Sequence, residues 1–429
     1  MDFNNKYVNS LINFIKEHTN NFKEILQKNP YNLKRITNCP WHKNWYMFNY
    51  NIFSSGLKSD VVRACRGIVL SIDENEVKPV SVPYTKFFNY GQDEGKDIEE
   101  LINWEKAKIS IKIDGMLLKT ACLEEDSEKR LYFFTNGSFN LNPPFYSEIN
   151  AYDEVDTRGM QTYGDLLSYS LKKVDNTIKI NYNKQIGSFY ITNGWVEKIP
   201  IGSTLMFELV SPRNKIICQY KETKLYLHGY RDPDLIEYDP RELNFNLKFD
   251  FPEILNASNY EDLKKIIQNF NGNEKEGCVV VDYTNKETPR AKIKCESYLK
   301  LKFNRDNFSS TQVLFKAIVF DEYDDLEVPA LMPKIEEIKK NITLFKEWFI
   351  SESKKVNQIG NGKNPKENYQ IWALWCKKNV SKQLLPIYLL MVEHDSLLRL
   401  DKKIEFFTTK KNGYESFKRL LTGLRRITL

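Results

Sequence analysis

The chain has 429 residues, 41% of them hydrophobic and 28% charged, a composition that excludes an intrinsically disordered protein and predicts two domains. Its formal net charge of +6 is too small to demonstrate nucleic-acid binding by itself. The sequence has no apolar run of the roughly 18 residues that would indicate a membrane span, and its seven cysteines include no Cys-x-x-Cys pair. We therefore expect a cytoplasmic protein, in the host cytoplasm if the source is a virus, with no membrane segment.

The secondary-structure pattern changes twice along the chain. Between Tyr7 and Leu26, apolar residues recur every three or four positions, which predicts amphipathic helices. From about residue 41 to residue 301 the pattern is one of short β-rich runs with few long helices, which favours mainly antiparallel sheets. We expect strands at residues 46–53, 67–72, 109–113, 131–134, 204–209, 215–220, 225–230, 278–283 and 291–293.

The second change comes after about residue 306, where helical spacing resumes. Apolar residues step by three and four from Ile335 to Phe349, and a further helix is expected at 384–400. Residues 143–200 have no clear period, so we expect an insertion or surface excursion there. We predict an α+β fold in which an antiparallel-sheet domain at 1–305 is followed by an all-helical domain at 306–429.

The C-terminal end carries most of the net charge. Residues 401–429 contain eight Lys and Arg residues, three Asp and Glu residues and four aromatic residues. Such a segment suits a phosphate backbone, and on charge alone a solvated helix face explains it equally well.

A Lys-x-Asp-Gly tetrapeptide, Lys112-Ile113-Asp114-Gly115, ends one of the expected strands. By itself it is also explained as a strand end followed by an Asp-Gly turn. The tetrapeptide is informative because four further short motifs accompany it along the chain. Two precede it, Arg66-Gly67-Ile68 and Lys86-Phe87-Phe88-Asn89, and two follow it, Phe207-Glu208-Leu209-Val210-Ser211-Pro212 and Glu276-Gly277-Cys278 continuing to Lys292-Ile293-Lys294.

This ordered set resembles the covalent nucleotidyltransferase superfamily of polynucleotide ligases and RNA capping enzymes, and most closely the RNA ligase 1 family of tailed phages. The resemblance runs from about Tyr50 to Asp325. It implies a nucleotidyltransferase (adenylation) domain at 1–305 and a helical RNA-binding domain at 306–429.

The resemblance implies an ATP-dependent RNA ligase that joins 5′-phosphate and 3′-hydroxyl ends of RNA in repair, with nicked tRNA as one such substrate. Lys112 would take AMP from ATP as lysyl-AMP and pass it to the RNA 5′-phosphate, and the 3′-hydroxyl would then displace AMP. We expect Mg²⁺ as the divalent cation, with Mn²⁺ as an alternative, and a monomeric protein.

Roles for other residues follow from the same resemblance. Glu208 would lie beside the nucleotide ribose, and Glu276 and Asp324 would bind the divalent cation. Asp114 and Gly115 would shape the turn, and the Asp114 carboxylate would accept a hydrogen bond near the ribose or the lysine. A lysine with a pKa near 10.4 is protonated at neutral pH and is not a nucleophile unless its surroundings favour the neutral amine. Nearby cations would favour the neutral amine and would also hold the ATP phosphates; these are Arg66, Lys86, Lys292 and Lys294. The aromatic residues expected to contact the nucleotide are Tyr50 and Phe88.

Each residue also has an ordinary structural explanation. Lys292 and Lys294 alternate on a strand and could face solvent, Tyr50 and Phe88 could be core aromatics, and Asp324 could belong to a solvated acidic turn. The sequence also departs from the family in two places. Met116 stands where a serine is frequent, and Asn136 replaces a lysine, which removes a positive charge from the substrate groove.

Two other classes of function remain open from the sequence. One is a different superfamily enzyme, either a DNA ligase or a capping guanylyltransferase. The helical C-terminal pattern argues against a DNA ligase, because it lacks the strands of an OB-fold. The other is a catalytically silent protein that binds RNA ends, which would not need a lysine nucleophile with carboxylates beside it.

Overall fold

The computed structural model describes residues 5–33, 35–50, 59–74, 76–92, 95–143, 159–243, 249–305, 310–320, 332–359, 404 and 413–425. The chain divides into two compact units, Met1–Leu301 and Lys302–Leu429. Within the described ranges, no helix combines the length and apolar character needed to cross a bilayer.

Helices and strands alternate along the first unit, and the described part of the second unit adds helices. The strands are β1 (Arg35–Asn38), β2 (Trp45–Asn49), β3 (Arg66–Ile72), β4 (Val77–Ser81), β5 (Phe88–Asn89), β6 (Lys108–Lys112), β7 (Met116–Glu125), β8 (Glu128–Thr135), β9 (Lys179–Asn183), β10 (Ser188–Thr192), β11 (Thr204–Val210), β12 (Lys224–Arg231), β13 (Glu237–Tyr238), β14 (Ile254–Leu255), β15 (Gly277–Val281) and β16 (Arg290–Lys294). The helices are α1 (Lys6–Glu17), α2 (Phe22–Leu26), α3 (Asp60–Ala64), α4 (Lys96–Glu99), α5 (Tyr163–Val174), α6 (Tyr260–Gln268), α7 (Glu296–Arg305), α8 (Thr311–Phe320), α9 (Met332–Ile359) and α10 (Gly413–Arg425).

The strands form three sheets, with orders β1-β2-β3-β4, β13-β12-β11-β7-β8-β10-β9 and β14-β6-β15-β16-β5. Every described pairing between these strands is antiparallel except β16 with β5. The expectation of mainly antiparallel sheets is therefore confirmed, and the first unit is a mixed α/β structure.

Each sheet buries an apolar face against a neighbouring layer. The four-stranded sheet packs on α1 and α2 through residues such as Ile68 and Leu70, and its other face meets the seven-stranded sheet through Val69. The seven-stranded sheet covers α5, and the five-stranded sheet covers α6. This layered burial supplies most of the stabilisation of such a unit and holds the three sheets in fixed positions.

The prediction of a strand at 215–220 is wrong, because this segment makes no ladder in the structure. The backbone N–H groups of Ile217 and Cys218 instead donate to the carboxylate of Asp114, each at 2.8 Å. The N–H of Gln219 donates to the carbonyl of Asn273 at 2.6 Å. Since backbone groups must be paired somewhere, partners far away in sequence replace the expected neighbouring strand.

The region 143–200 is in part an integral element of the sheet rather than an excursion. Helix α5 begins with a capping box between Thr162 and Asp165, and β10 pairs with β8 in the seven-stranded sheet. Strand β9 pairs in turn with β10 and forms one edge of this sheet.

The described part of the second unit comprises the end of α7, the helices α8, α9 and α10, and residue 404. The predicted helical stripe is confirmed, because Ile335, Ile338 and Phe345 on α9 are buried. Phe315 of α8 stacks on Phe417 of α10 with 5.3 Å between ring centroids. The expected helix at 384–400 lies outside the described residues, as does most of the basic end at 401–429.

Candidate active site

A pocket opens where the three sheets meet. Its walls come from every sheet: Arg66 on β3, Lys112 on β6, and Glu208 on β11. The remaining walls are supplied by Tyr84, Phe87, Ser110, Ile111, Ile113, Leu117, His228, Pro252, Val279, Val281, Tyr283 and Arg290. The predicted nucleophile, cation and ribose-side carboxylate therefore face one cavity.

Two lysines share the carboxylate of Glu276 beside this pocket. The Nζ atom of Lys112 lies 2.7 Å from Oε2 of Glu276, and the Nζ atom of Lys294 lies 2.7 Å from Oε1. The Glu276 side chain is 2% exposed. Both carboxylate oxygens are thus used in charge-assisted hydrogen bonds out of contact with water.

Strand register produces this arrangement. Gly277 on β15 pairs with Lys112 on β6 and with Lys294 on β16, so the residue before it lies between the two lysines. Gly277 has a φ of +155°, and a Cβ atom there would lie 2.0 Å from the carbonyl oxygen of Ile293. Only glycine therefore lets the β15 backbone approach β16 closely enough for one carboxylate to serve both lysines.

The pair fixes the charge state of both partners. Burial lowers the pKa of Lys112, but Glu276 and then Glu208 raise it, and the net pKa lies above its ordinary value. Burial raises the pKa of Glu276, but Lys112 and Lys294 lower it to about 2. The expectation that neighbouring cations hold Lys112 as a neutral amine is therefore wrong for the free protein, since carboxylates dominate its surroundings.

Exposure distinguishes the two lysines. The Lys112 side chain is 25% exposed and lines the pocket, whereas the Lys294 side chain is 6% exposed and is not part of the pocket wall. Lys112 is therefore the amine of this pair that a molecule in the pocket can reach. Lys294 is placed to stay with Glu276 as its counterion when Lys112 reacts.

Asp114 is an anchor for the fold beside the site. Its Oδ2 atom accepts from the N–H groups of Ile217 and Cys218, and its Oδ1 atom accepts from the hydroxyl of Tyr298 at 2.9 Å. Its own N–H donates to the hydroxyl of Tyr220 at 2.9 Å. The carboxylate is buried and turned toward these groups, so it does not offer an oxygen to the pocket as expected.

We predict that Asp114→Ala lowers the free energy of unfolding by about 3 to 5 kcal/mol, because it leaves three buried donors without their acceptor. Urea denaturation checks this. Glu124→Ala, which removes an exposed carboxylate from β7, is the matched control and should change stability by about 0.5 kcal/mol or less. A small effect of Asp114→Ala would contradict the anchoring role.

Gly115 allows Glu208 to approach the lysine. The N–H of Gly115 donates to Oε1 of Glu208 at 3.2 Å, and a Cβ at Gly115 would lie 2.6 Å from the carbonyl oxygen of Leu209. Oε2 of Glu208 faces Nε2 of His228 at 3.5 Å, and Nδ1 of His228 lies 2.8 Å from the hydroxyl of Tyr84. Glu208 is therefore held at the pocket wall by the N–H of Gly115, with the imidazole of His228 close to its other oxygen.

Lys119 is a buried lysine that the sequence did not indicate. It is 0% exposed, and its Nζ donates to the carbonyl of Gly67. A Cβ at Gly67 would lie 2.7 Å from this Nζ and 2.6 Å from Oδ1 of Asn136. The Lys119 amine thus lies close to Asn136, the residue that replaces a lysine of the family.

Burial, and then the charge of Arg66, lower the pKa of Lys119 well below its ordinary value of 10.5. The charged form is therefore penalised in the folded protein, and the penalty is relieved as pH rises through the folded pKa toward the unfolded one. We predict that Lys119→Met is more stable relative to the wild type at about pH 6 than at about pH 10, with a slope of at most about 1.4 kcal/mol per pH unit. Urea denaturation across this range checks it, and a difference independent of pH would contradict it.

Eight of the expected site residues that the structure describes are not part of the pocket wall. Four of them, Asp114, Gly115, Glu276 and Lys294, lie beside it, and the other four are Tyr50, Lys86, Phe88 and Lys292. The Nζ of the buried Lys86 stands 5.5 Å from the ring centroid of Tyr50 and 5.3 Å from that of Phe88. Phe88 belongs to the core under α1, and Tyr50 packs against that core. Lys292 is buried on β16 between β15 and β5. Asp324 lies outside the described residues.

Several residues of the pocket wall were not predicted. Arg290 stands two positions before Lys292 on β16, so the alternation that pointed to Lys292 and Lys294 could have identified it. His228 and Tyr84 gave no sequence signal, because their place depends on strands that are distant in sequence.

The described residues do not form a metal site on their own. Both oxygens of Glu276 are bonded to lysines, and no group of three His, Cys, Asp or Glu side chains that could hold a metal ion occurs in the described part of the chain.

Comparison with known proteins identifies a family. The family model described as RNA ligase, that of T4 RNA ligase 1, matches residues 64–308, more than half of the chain. This range contains Arg66, Lys112, Glu208, Glu276 and Lys294.

Two curated relatives match most of the chain at low identity. One, provisionally named bifunctional polynucleotide kinase/RNA ligase, is from Autographa californica nuclear polyhedrosis virus and is 23% identical over 385 residues, 85% of this chain. The chain spans half the length of that viral relative. The other, provisionally named RNA ligase, is from Thermovibrio ammonificans and is 25% identical over 81% of this chain and 83% of its own length.

Solved structures of Naegleria gruberi RNA ligase are also similar. A mutant with ATP and Mn matches at 15% identity with a TM-score of 0.31, covering 52% of this chain and 58% of that chain. A second mutant with ATP and Mn matches at 14% identity and the same TM-score, covering 57% and 67%. These TM-scores are too low to add to the assignment from sequence.

Proposed function

Because the chain belongs to the T4 RNA ligase 1 family, we propose that it is an ATP-dependent RNA ligase joining 5′-phosphate and 3′-hydroxyl ends. The observation that carries the proposal is the placement of Lys112. It is the member of the lysine pair on Glu276 that lines the pocket between the three sheets. A protein that only binds RNA ends has no need of such a lysine.

Three steps complete the proposed reaction, and each balances. The Nζ of Lys112, after losing a proton, attacks the α-phosphorus of ATP, forming a P–N bond and releasing pyrophosphate. The RNA 5′-phosphate then attacks this phosphorus and frees the lysine, giving an RNA-adenylate. Finally the RNA 3′-hydroxyl attacks the 5′-phosphate, forms the phosphodiester and releases AMP.

The charge of Lys112 decides what must happen before the first step. In the free protein Glu276 holds it as an ammonium, so substrate binding has to shift the balance toward the amine. A divalent cation carried on the ATP phosphates adds positive charge near the lysine and lowers its pKa. We assign this role to Mg²⁺, with Mn²⁺ as an alternative, as part of the nucleotide substrate.

Other pocket residues take roles that fit their positions. Arg66, which stacks on Phe87 with 5.2 Å from Cζ to the ring centroid, is placed for phosphate oxygens. Glu208, held by the N–H of Gly115 and close to His228, is placed for ribose hydroxyls. Because these contacts are set before substrate arrives, they stabilise the developing charges with little reorganisation.

The biological setting is a further part of the proposal. We assign the chain a monomeric, cytoplasmic role in repair of cleaved RNA, tRNA included. The helices after residue 305 would form the RNA-binding domain, with the basic segment at 401–429 near the phosphate backbone.

A strand-joining assay tests the function. Nicked or broken RNA with 5′-phosphate and 3′-hydroxyl ends should be sealed with ATP and Mg²⁺, and matched DNA or GTP in place of ATP should give far less product. Sealing of DNA alone would indicate a DNA ligase, and use of GTP alone would indicate a guanylyltransferase. Tight RNA binding without joining would indicate a silent binding protein.

A further inference from the structure

Strand β3 begins with a bulge at the edge of the active-site pocket. Arg66 pairs with Asn49 of β2 and Ile68 pairs with Phe48, so Gly67 between them has no partner on that strand. Gly67 has a φ of +81°, in the left-handed region that glycine adopts at bulges. A bulge leaves one residue unpaired and changes the direction of the side chain next to it. Here that side chain belongs to Arg66, which lines the pocket.

Lys119 contacts this bulge from β7. Its Nζ donates to the carbonyl of Gly67, the residue that the bulge leaves unpaired. Lys119 lies on the same face of β7 as Leu117, a residue of the pocket wall, and is itself 0% exposed. The amine therefore lies behind the pocket wall and supports it from within the protein.

The Arg66 side chain has few contacts that orient it. Its guanidinium stacks on Phe87, with 5.2 Å from Cζ to the ring centroid. Its Nη1 atom is buried and has no hydrogen-bond partner among the described residues. Stacking lacks the directional preference of a hydrogen bond, so it does not fix the guanidinium alone. The direction of Arg66 in the pocket therefore depends on the backbone at Gly67.

We propose that Lys119 is a positioning residue, which fixes the bulge at Gly67 and thereby directs Arg66 toward the nucleotide phosphates. The proposal rests on the proposed function for the ligand of Arg66. Without the amine, the buried carbonyl of Gly67 would lose its partner, an unfavourable state that the backbone would relieve by rotating. Arg66 would then turn away from its present direction.

A double-mutant cycle tests the proposal, because changes at residues that act through one another do not add. Calorimetry would measure the binding of α,β-methylene-ATP, which resists cleavage between the α- and β-phosphates, and of adenosine, which has no phosphate. The proteins are the wild type, Lys119→Met, Arg66→Met and the double variant. We expect Lys119→Met to weaken binding of the ATP analogue about tenfold, the effect of one misplaced charge-assisted contact. It should leave adenosine affinity within about twofold and have no further effect when Arg66 is already replaced.

Lys129→Met is the matched control. Lys129 on β8 also donates from Nζ to backbone carbonyls, that of Glu197 at 2.8 Å and that of Ile199 at 3.1 Å, and none of these residues is part of the pocket wall. This variant should bind the ATP analogue within about twofold of the wild type. Lys119→Gln, which keeps an N–H donor, should recover part of the affinity that Lys119→Met loses.

Three results would overturn the proposal. They are an unchanged affinity of Lys119→Met for the ATP analogue, an equal loss of affinity for the analogue and for adenosine, and effects of Lys119→Met and Arg66→Met that add.

Crystal structures of the wild type and Lys119→Met without nucleotide provide a readout that needs no ligand. The φ of Gly67 and the direction of Arg66 should differ between the two proteins, and an unchanged bulge would overturn the proposal. If the wild type does not bind the ATP analogue, the proposed function fails, and these structures still decide the role of Lys119.

Discussion

Lys112→Ala is expected to abolish ATP-dependent RNA joining, with a loss of about 10³-fold or more, because it removes the proposed nucleophile. The same variant should take up no AMP. It should still join RNA that already carries a 5′-adenylate, since the last step needs no lysyl-AMP. A joining assay with the two RNA substrates, with and without ATP, measures both effects.

Lys108→Ala is the matched control for Lys112→Ala. Lys108 lies on the same strand, β6, and its side chain is 49% exposed, away from Glu276. It should keep both joining activities within about twofold. If Lys112→Ala retained joining of 5′-phosphorylated RNA with ATP, the proposed chemistry would be wrong.

Glu276→Gln is expected to produce a large loss of stability. It leaves the buried ammonium groups of Lys112 and Lys294 without their shared counterion, and breaking a buried pair costs about 3 to 5 kcal/mol. Urea denaturation at neutral pH measures the change. Glu274→Gln, an exposed carboxylate two residues earlier, should differ from the wild type by about 0.5 kcal/mol or less.

The pH dependence of stability provides a second test of the ion pairs between Glu276 and the two lysines. The pKa of Glu276 falls from an ordinary 4.5 to about 2 in the folded protein. Its contribution of about 3 kcal/mol is therefore complete above pH 4.5 and is lost as pH falls toward 2. The wild type should lose this stability in acid and Glu276→Gln should not. Parallel acid curves for the two proteins would refute the buried ion pair.

Much of the described fold was predictable because its strands and helices carry local patterns. The runs that became β3, β6, β11, β12, β15 and β16 alternate or cluster β-branched and apolar residues, and the stripe on α9 steps at helical spacing. Such patterns depend on neighbours within a few positions, so the sequence alone reveals them.

The failures depend on distant contacts. The segment at 215–220 has strand-like composition, but the carboxylate of Asp114, about a hundred positions earlier, takes its N–H groups. Propensity cannot anticipate such a partner.

The same limit applies to the site. The motifs predicted that Lys112, Glu208 and Glu276 lie close together, and the register of β15 and β11 places them so. They could not show that Glu276 would outweigh the cations around Lys112, since a pKa depends on distances of a few ångströms. Nor could they show that Lys86 and Phe88 would pack away from the pocket.

Intact-mass spectrometry of the purified protein with ATP and Mg²⁺, but without RNA, tests the central claim most directly. We predict a gain of the mass of AMP that peptide mapping places on Lys112 and that added pyrophosphate reverses. A folded protein, initially free of AMP, that gains no mass or gains it on another residue would contradict the account.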